Sequence, residues 1–233
     1  MPEPRWQREP PVSDDRGFRP AMKYRLLPLL LPLLLLPFIQ GCVLMVYPLA
    51  RAFGSPSESE LKRCRAAFEH LKAGRFTARI VVYPALDPVG MRKEAYPGTA
   101  LLMTQQLQAK GWTNCSTAPT APPVEPRRLG ANQLRYAWKR AHAYGQWVRT
   151  ARPEGDFQLF VEVLSSPSGN IIGIQCYALD ASGQVAYERL LNSHQFGGKP
   201  PKNPEAACRL MLQILLNHLN QADPCISPPY GVG

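Results

Sequence analysis

The chain has 233 residues, of which 45% are hydrophobic and 19% are charged; this composition can form a packed core and excludes a largely disordered protein. The formal net charge is +10, and residues 1–41 contribute only six basic and four acidic side chains, so most of the positive charge belongs to the remainder. A basic protein attracts anionic partners, such as lipid headgroups, lipopolysaccharide, cell-wall polymers or nucleic acid.

The N-terminal region has the layout of an export signal. Residues 1–21 are rich in Pro, Arg and Asp without periodicity, and we interpret them as a disordered extension upstream of a true start at Met22. From Met22 a short positive segment leads into a leucine-rich apolar run that ends at Phe38. Ile39-Gln40-Gly41-Cys42 follows directly.

These four residues resemble the lipobox of bacterial lipoproteins, in which an aliphatic residue precedes an invariant Cys by three positions and a small residue stands directly before it. The resemblance implies a signal peptide over 22–41, cleavage before Cys42 and acylation of its thiol, with palmitate among the acyl chains. Because Val43 and not Asp comes next, it also implies a lipid-anchored protein of the bacterial outer membrane that faces the periplasm. Export makes nucleic acid an unexpected partner.

An uncleaved transmembrane helix is the alternative. Leu26 to Ala50 is apolar apart from Gln40 and is long enough to cross a bilayer, which would place the protein in the inner membrane. The prolines at 28, 32 and 37 disfavour a helix without excluding it. With the anchor at Cys42, residues 42–57 form a membrane-proximal linker.

The first half of the folded region predicts helices separated by short strands. Ser57 followed by Glu60 is typical of a capping box, and apolar residues at the helical period continue to about Gly74. The segments that follow are a strand at Arg79–Tyr83, a loop at 84–97, a helix at Gly98–Lys110, a short strand from Trp112 to Cys115, a Pro-rich exposed stretch at 118–130 and a third helix at Asn132–Arg149.

The second half predicts a β-meander and a final helix. Turn residues at 166–170 and 180–183 separate three strands, which should pair antiparallel: Phe157–Leu164, Ile171–Leu179 and Val185–Leu191. Asn203-Pro204 then predicts the start of the last helix, with Asn as the N-cap and Pro at the first helical position.

The predicted fold class is α+β, in a two-layer α/β arrangement. One mixed sheet of about five strands carries helices packed on it and ends in the antiparallel meander and the C-terminal helix. We expect a single domain over 58–222 and a tail over 223–233. In element order and export signal this domain resembles the periplasmic α/β domains of penicillin-binding-protein activator lipoproteins, the curli-secretion lipoprotein and the TolB N-terminal domain, which implies an accessory role.

The sequence shows no recognisable catalytic or metal-binding motif. His-Glu-x-x-His and Cys-x-x-Cys patterns are absent, so we expect neither metal nor cofactor. The carboxylates Asp87, Glu94, Asp156 and Glu162 form no motif, and we assign no catalytic residue. His218 lies beside the apolar face of the last helix and is predicted to be a partly buried core residue.

The third predicted helix carries a basic face opposite its apolar stripe. Arg135, Lys139, His142 and Arg149 share this face, and four further arginines lie nearby in the sequence: Arg127, Arg128, Arg140 and Arg152. One interpretation is an ordinary solvated face. The other is a docking surface for an anionic lipid, a glycan or an acidic protein of the envelope.

Five cysteines remain if Cys42 is acylated, and an oxidising periplasm permits disulfides between them. The sequence does not choose their pairing, and our one candidate bridge joins Cys64 to Cys225, which would tie down the tail.

Three functions remain open at this stage. The first is a non-catalytic accessory or scaffold protein in envelope assembly or secretion, which predicts exposed docking patches. The second is a lipoprotein that binds a lipid or small molecule, which predicts a sizeable pocket. The third is a cell-wall hydrolase, which requires a cluster of acids or nucleophiles.

Overall fold

The computed structural model describes residues 56–88, 94–123, 125, 133–196 and 199–220. The predicted extension, the signal peptide with Cys42, most of the linker and the C-terminal tail with Cys225 lie outside the described residues. Within the ranges that are described, no helix combines the length and the apolar character needed to cross a bilayer.

Four α-helices begin and end close to the predicted positions. They are α1 (Glu58–Ala73), α2 (Pro97–Ala109), α3 (Gln133–Ala151) and α4 (Pro204–Asn220), with 3₁₀ turns at Gly74–Phe76 and Ser193–Phe196. The capping box is confirmed, because Glu60 N donates to Ser57 Oγ at 3.3 Å and Ser57 N donates to Glu60 Oε2 at 2.7 Å. Asn203 caps α4 as expected, since its side-chain oxygen accepts from Ala206 N at 2.8 Å.

The described strands form one mixed sheet. They are β1 (Ile80–Val82), β2 (Ala85–Asp87), β3 (Glu94–Tyr96), β4 (Cys115–Thr117), β5 (Phe157–Ser165), β6 (Ile171–Asp180) and β7 (Val185–Asn192). The predicted loop over 84–97 is therefore wrong in part, because it contains β2 and β3. Each of these strands has only three residues, too few for an alternating pattern to be recognised.

The seven described strands, two more than the five expected, occupy five positions in the sheet. β5 is central: β6 pairs antiparallel along one edge, and β1 and β2 pair parallel with successive parts of the other edge. β1 and β2 thus act as one strand interrupted at Tyr83 and Pro84. Outside them lie β4, parallel to β1, and β3, antiparallel to β2. The predicted meander is confirmed, since β7 pairs antiparallel with β6.

Apolar side chains cover both faces of the sheet. On one face, strand residues such as Val82 and Leu159 join a large cluster with α1, α2 and α4. On the other, Phe160 and Tyr177 join a smaller cluster with α3. The class is α+β as predicted, but helices on both faces make the sheet a middle layer, where two layers were expected. The β5 sequence explains this, because a strand buried on both faces is apolar almost throughout.

Candidate functional site

Helix α3 presents a buried stripe to the sheet and an exposed basic face to solvent. Ala141, Tyr144 and Val148 are fully buried, and the Tyr144 ring stacks on Phe160 with centroids 4.5 Å apart. This confirms the predicted apolar stripe at the residues whose side chains are described. The orientation of α3 about its axis therefore decides which side chains reach solvent.

A buried ion pair helps to fix that orientation. Arg140 Nε donates to Glu162 Oε1 at 2.5 Å, and only 9% and 0% of the two side chains are exposed. Tyr144 OH donates to the same carboxylate oxygen at 2.8 Å. Arg140 Nη1 also donates to the backbone oxygen of Glu125, in the segment that follows β4. Arg140 thus ties α3 both to the central strand and to this segment.

Charge on this pair is stabilised by mutual contact. Burial by itself lowers the pKa of the Arg140 guanidinium, but the adjacent Glu162 carboxylate outweighs it, so the pKa rises above its ordinary value. Burial, and next the negative charge of Glu162, raises the pKa of Tyr144 well above 10. The guanidinium therefore stays charged and the phenol protonated at neutral pH.

The polar cluster continues across the sheet beneath the surface. Glu162 on β5 stands directly opposite Gln175 on β6, and Gln175 Nε2 donates to Glu188 Oε1 on β7 at 3.0 Å. Glu162 and Gln175 are fully buried. These two side chains are out of contact with solvent, and Glu162 holds α3 in position through Arg140 and Tyr144.

The exposed side of α3 carries the predicted basic residues. Lys139, His142 and Arg149 are exposed, and their spacing places them on one side of the helix. The backbone of Arg135 lies within α3 at a position on the same side, but its side chain lies outside what is described. We call Lys139, His142 and Arg149 the α3 basic face. Arg140 was expected near this face and is instead buried, because its position borders the apolar stripe and Glu162 attracts it.

The α3 basic face lies beside the beginning of α1. His142 Nε2 is 3.4 Å from Glu60 Oε1, the same carboxyl group that completes the capping box with Ser57. Hydrogen bonds from the Ser57 backbone and side chain, and then the positive charges of His142 and Arg63, outweigh burial and lower the pKa of Glu60. The contact brings the N-terminus of the folded region next to the basic face.

The other carboxylates considered from sequence lie on β2, on β3 and directly before β5. Asp87 and Glu94 face each other across the short β2–β3 pair, and Asp156 accepts from Arg79 N at 2.8 Å. No group of three or more His, Cys, Asp or Glu residues suited to a metal ion occurs in the described part of the chain.

Four cysteines are described, and no disulfide joins any two of them. Cys64 is fully buried and accepts a weak hydrogen bond from Gln184 Nε2 at 3.4 Å. Burial raises its pKa to about 11. The predicted Cys64–Cys225 bridge stays a prediction, because Cys225 lies outside the described residues.

His218 occupies the position expected of a partly buried core residue. Its Nδ1 lies 2.9 Å from the hydroxyl oxygen of Tyr187 on β7. Burial, and next the positive charge of Arg189, lowers the pKa of His218. The residue thus joins α4 to the sheet.

The buried Arg140–Glu162–Tyr144 cluster was missed by sequence reasoning. Its one visible signal is Glu162, a single acidic residue in an otherwise almost apolar β5. A carboxylate at a buried position of a central strand requires a cationic or hydrogen-bonding partner. Which helix supplies that partner depends on tertiary packing.

Comparison with protein families and with curated sequences identifies no relative. A scan against profiles of protein families gives no match, and no curated protein matches significantly in sequence.

Proposed function

We propose that this chain is a membrane-anchored, non-catalytic accessory protein of the bacterial cell envelope, whose α3 basic face contacts anionic lipid headgroups. The anchor rests on the Ile39–Cys42 lipobox pattern and the apolar segment before it. The observation that carries the orientation is the 3.4 Å contact between His142 and Glu60. It places the basic face at the end of the domain from which the linker departs.

Distance alone keeps the domain near the membrane in this proposal. An extended chain spans at most about 3.3–3.6 Å per residue, so the linker over residues 42–57 reaches no further than roughly 55 Å. The domain therefore samples the bilayer surface continually. Which side it turns to that surface depends on weak forces.

The charge on the α3 basic face suits such an orienting role. Near an anionic membrane each Lys or Arg contributes about 1 kcal/mol, so Lys139 and Arg149 together contribute about 2 kcal/mol. This is too little to retain a free protein at a membrane. It is enough to orient one that a lipid already holds there, and the effect decreases with salt.

A photo-crosslinking experiment tests the proposal. A benzophenone amino acid replaces Gln146, an exposed residue between His142 and Arg149 on the same side of α3. The full-length lipidated protein is reconstituted in vesicles of phosphatidylcholine, with or without phosphatidylglycerol, and lipid adducts on the α3 peptide are measured. We expect an increase of about fivefold or more in the anionic vesicles, as an orienting energy of 1 kcal/mol or more implies.

Charge reversal supplies the control. Lys139→Glu with Arg149→Glu should abolish the dependence on phosphatidylglycerol, whereas Lys62→Glu with Arg65→Glu, at exposed positions of α1, should leave it in place. Equal adduct yields in both kinds of vesicle would show that the face does not contact anionic lipid.

A further inference from the structure

A groove opens on the opposite side of the sheet from α3, between the end of α1, α2 and α4. Its volume is about 700 Å³. This lies within the range of pockets that bind small molecules. The residues that line it include three cationic side chains, Lys72, Arg75 and Lys110, and four carboxamides: Gln106, Gln213, Asn217 and Asn220.

The charge of this groove has one sign. No Asp or Glu is found among the described residues that line it, although the described part of the chain contains acidic residues elsewhere. Concave surfaces lined by charges of one sign concentrate ions of the opposite sign. An apolar portion of the wall is formed by Ala109, Trp112 and Leu216.

The end of α2 positions Arg75 at this groove. Gly111 adopts a φ of +88°. Its N–H donates to Gln108 O, and the N–H of Trp112 donates to Leu107 O. These two bonds form a Schellman motif at the end of the helix. Arg75 Nη2 donates to the backbone oxygen of Lys110. A Cβ at Gly111 would lie 3.4 Å from Arg75 Nη2, an ordinary van der Waals contact, so the positive φ and not the guanidinium is what requires glycine here.

Two polar atoms in the lining have no hydrogen-bond partner in the described structure. They are Arg75 Nε, a donor, and Gln106 Oε1, an acceptor, and both are buried. Polar atoms taken out of water without a partner are costly, so such atoms at a groove indicate a site for a polar ligand.

We propose that this groove binds a soluble phosphate monoester with a short apolar substituent. The half-buried Arg75 guanidinium and the exposed Lys110 ammonium contact the phosphate, since a dianion matches clustered cations and accepts several hydrogen bonds at once. With its carboxamide rotated by 180°, Gln106 donates an N–H from the position of Oε1 to a phosphate oxygen, since a dianionic monoester has no hydroxyl to donate. Leu216 and Trp112 contact the apolar substituent, which accounts for a volume larger than one inorganic ion requires.

Calorimetric titration with hexyl phosphate tests this site. The full-length protein is held in phosphatidylcholine nanodiscs, with empty nanodiscs as the blank, and inorganic phosphate and hexanol are titrated in parallel. We expect saturable binding of hexyl phosphate, and at least about tenfold weaker binding of each fragment, because charge-assisted bonds and apolar contact both contribute. No saturable binding, or equal affinity for inorganic phosphate, overturns the proposal.

Substitutions place the binding in the groove. Lys110→Gln and Arg75→Gln should each weaken binding of hexyl phosphate about tenfold, and Lys110→Gln leaves the backbone oxygen that holds Arg75 unchanged. Lys62→Gln with Arg65→Gln removes charge at exposed positions outside the groove and should leave the affinity unchanged. If the groove and control variants lost the same affinity for hexyl phosphate, the overall charge of the protein would explain the loss. That result would contradict binding in the groove.

Discussion

Gly145 in α3 and Gly183 in the β6–β7 turn are in backbone contact. A Cβ built on either residue would clash with the carbonyl oxygen of the other, and Gly183 has a φ of +73°. The turn itself is held by Asp180 Oδ1, which accepts from Ser182 N and Gln184 N at 2.9 Å each. The helix therefore lies against the turn with no room for a side chain, and this contact fixes its height above the sheet.

Replacing Gly145 with Ala should destabilise the protein despite the better helix propensity of Ala. The rigid backbone of Gly183 cannot move aside, so we expect a loss of about 1–3 kcal/mol in the free energy of unfolding, as found for overpacked sites. Gly98→Ala is the matched control in α2, because a Cβ there meets nothing within 4 Å. That variant should be neutral or stabilised by up to about 1 kcal/mol. Denaturant unfolding measures both, and equal stabilities would contradict the close contact.

Removing one partner of the buried ion pair should cost more than removing both. Arg140→Met leaves the Glu162 carboxylate uncompensated in the core, and we expect a loss of about 3–5 kcal/mol. The double variant Arg140→Met with Glu162→Leu should be considerably more stable than the sum of the two single losses implies. A double-mutant cycle by urea unfolding measures the coupling. Additive losses would mean that the two side chains do not interact.

Stability should decrease as the pH falls through about 6.5, in part because of His218. Burial lowers the pKa of this residue in the folded protein below its ordinary value of 6.5, so the unfolded chain binds the proton more readily. The contribution is fully present above the unfolded pKa and is lost as the pH falls below it. His218→Gln should reduce the change in unfolding free energy between neutral pH and pH 5. If His218→Gln leaves the pH dependence of the unfolding free energy unchanged, His218 does not contribute to it.

Thiol reactivity should follow burial among the described cysteines. Burial raises the pKa of Cys115 to about 11 and that of Cys208 to about 12, and raises that of Cys176 further still. Since Cys115 alone among the four is partly exposed, iodoacetamide should modify it first in the native protein. Peptide mapping under non-reducing conditions tests the proposed Cys64–Cys225 bridge in the same samples. Free Cys225 would exclude that bridge.

Local patterns were sufficient to predict most elements of the fold. The Ser57–Glu60 capping box and the Asn203–Pro204 helix start are hydrogen-bonding motifs complete within a few residues, so the sequence contains all of their information. The meander was equally accessible, because its strands are long and its turns carry Gly, Asn and Asp.

Features that depend on distant partners were not predicted. β2 and β3 form because β5 is long enough to pair with β2 beyond the end of β1. Each of the two strands has three residues, and so short a segment carries no pattern that predicts this pairing. The sequence does not distinguish Arg140 from the exposed cations of α3, because its partner Glu162 lies 22 residues away in the chain. The groove at Arg75 likewise combines residues from three helices and a turn.

The anchor at Cys42 underlies the proposed function, and intact-mass spectrometry of the protein extracted from bacterial membranes tests it most directly. The proposal predicts a chain that begins at Cys42 and carries a diacylglyceryl group together with a further acyl chain. A chain that retains residues 22–41 and an unmodified Cys42 thiol would contradict it.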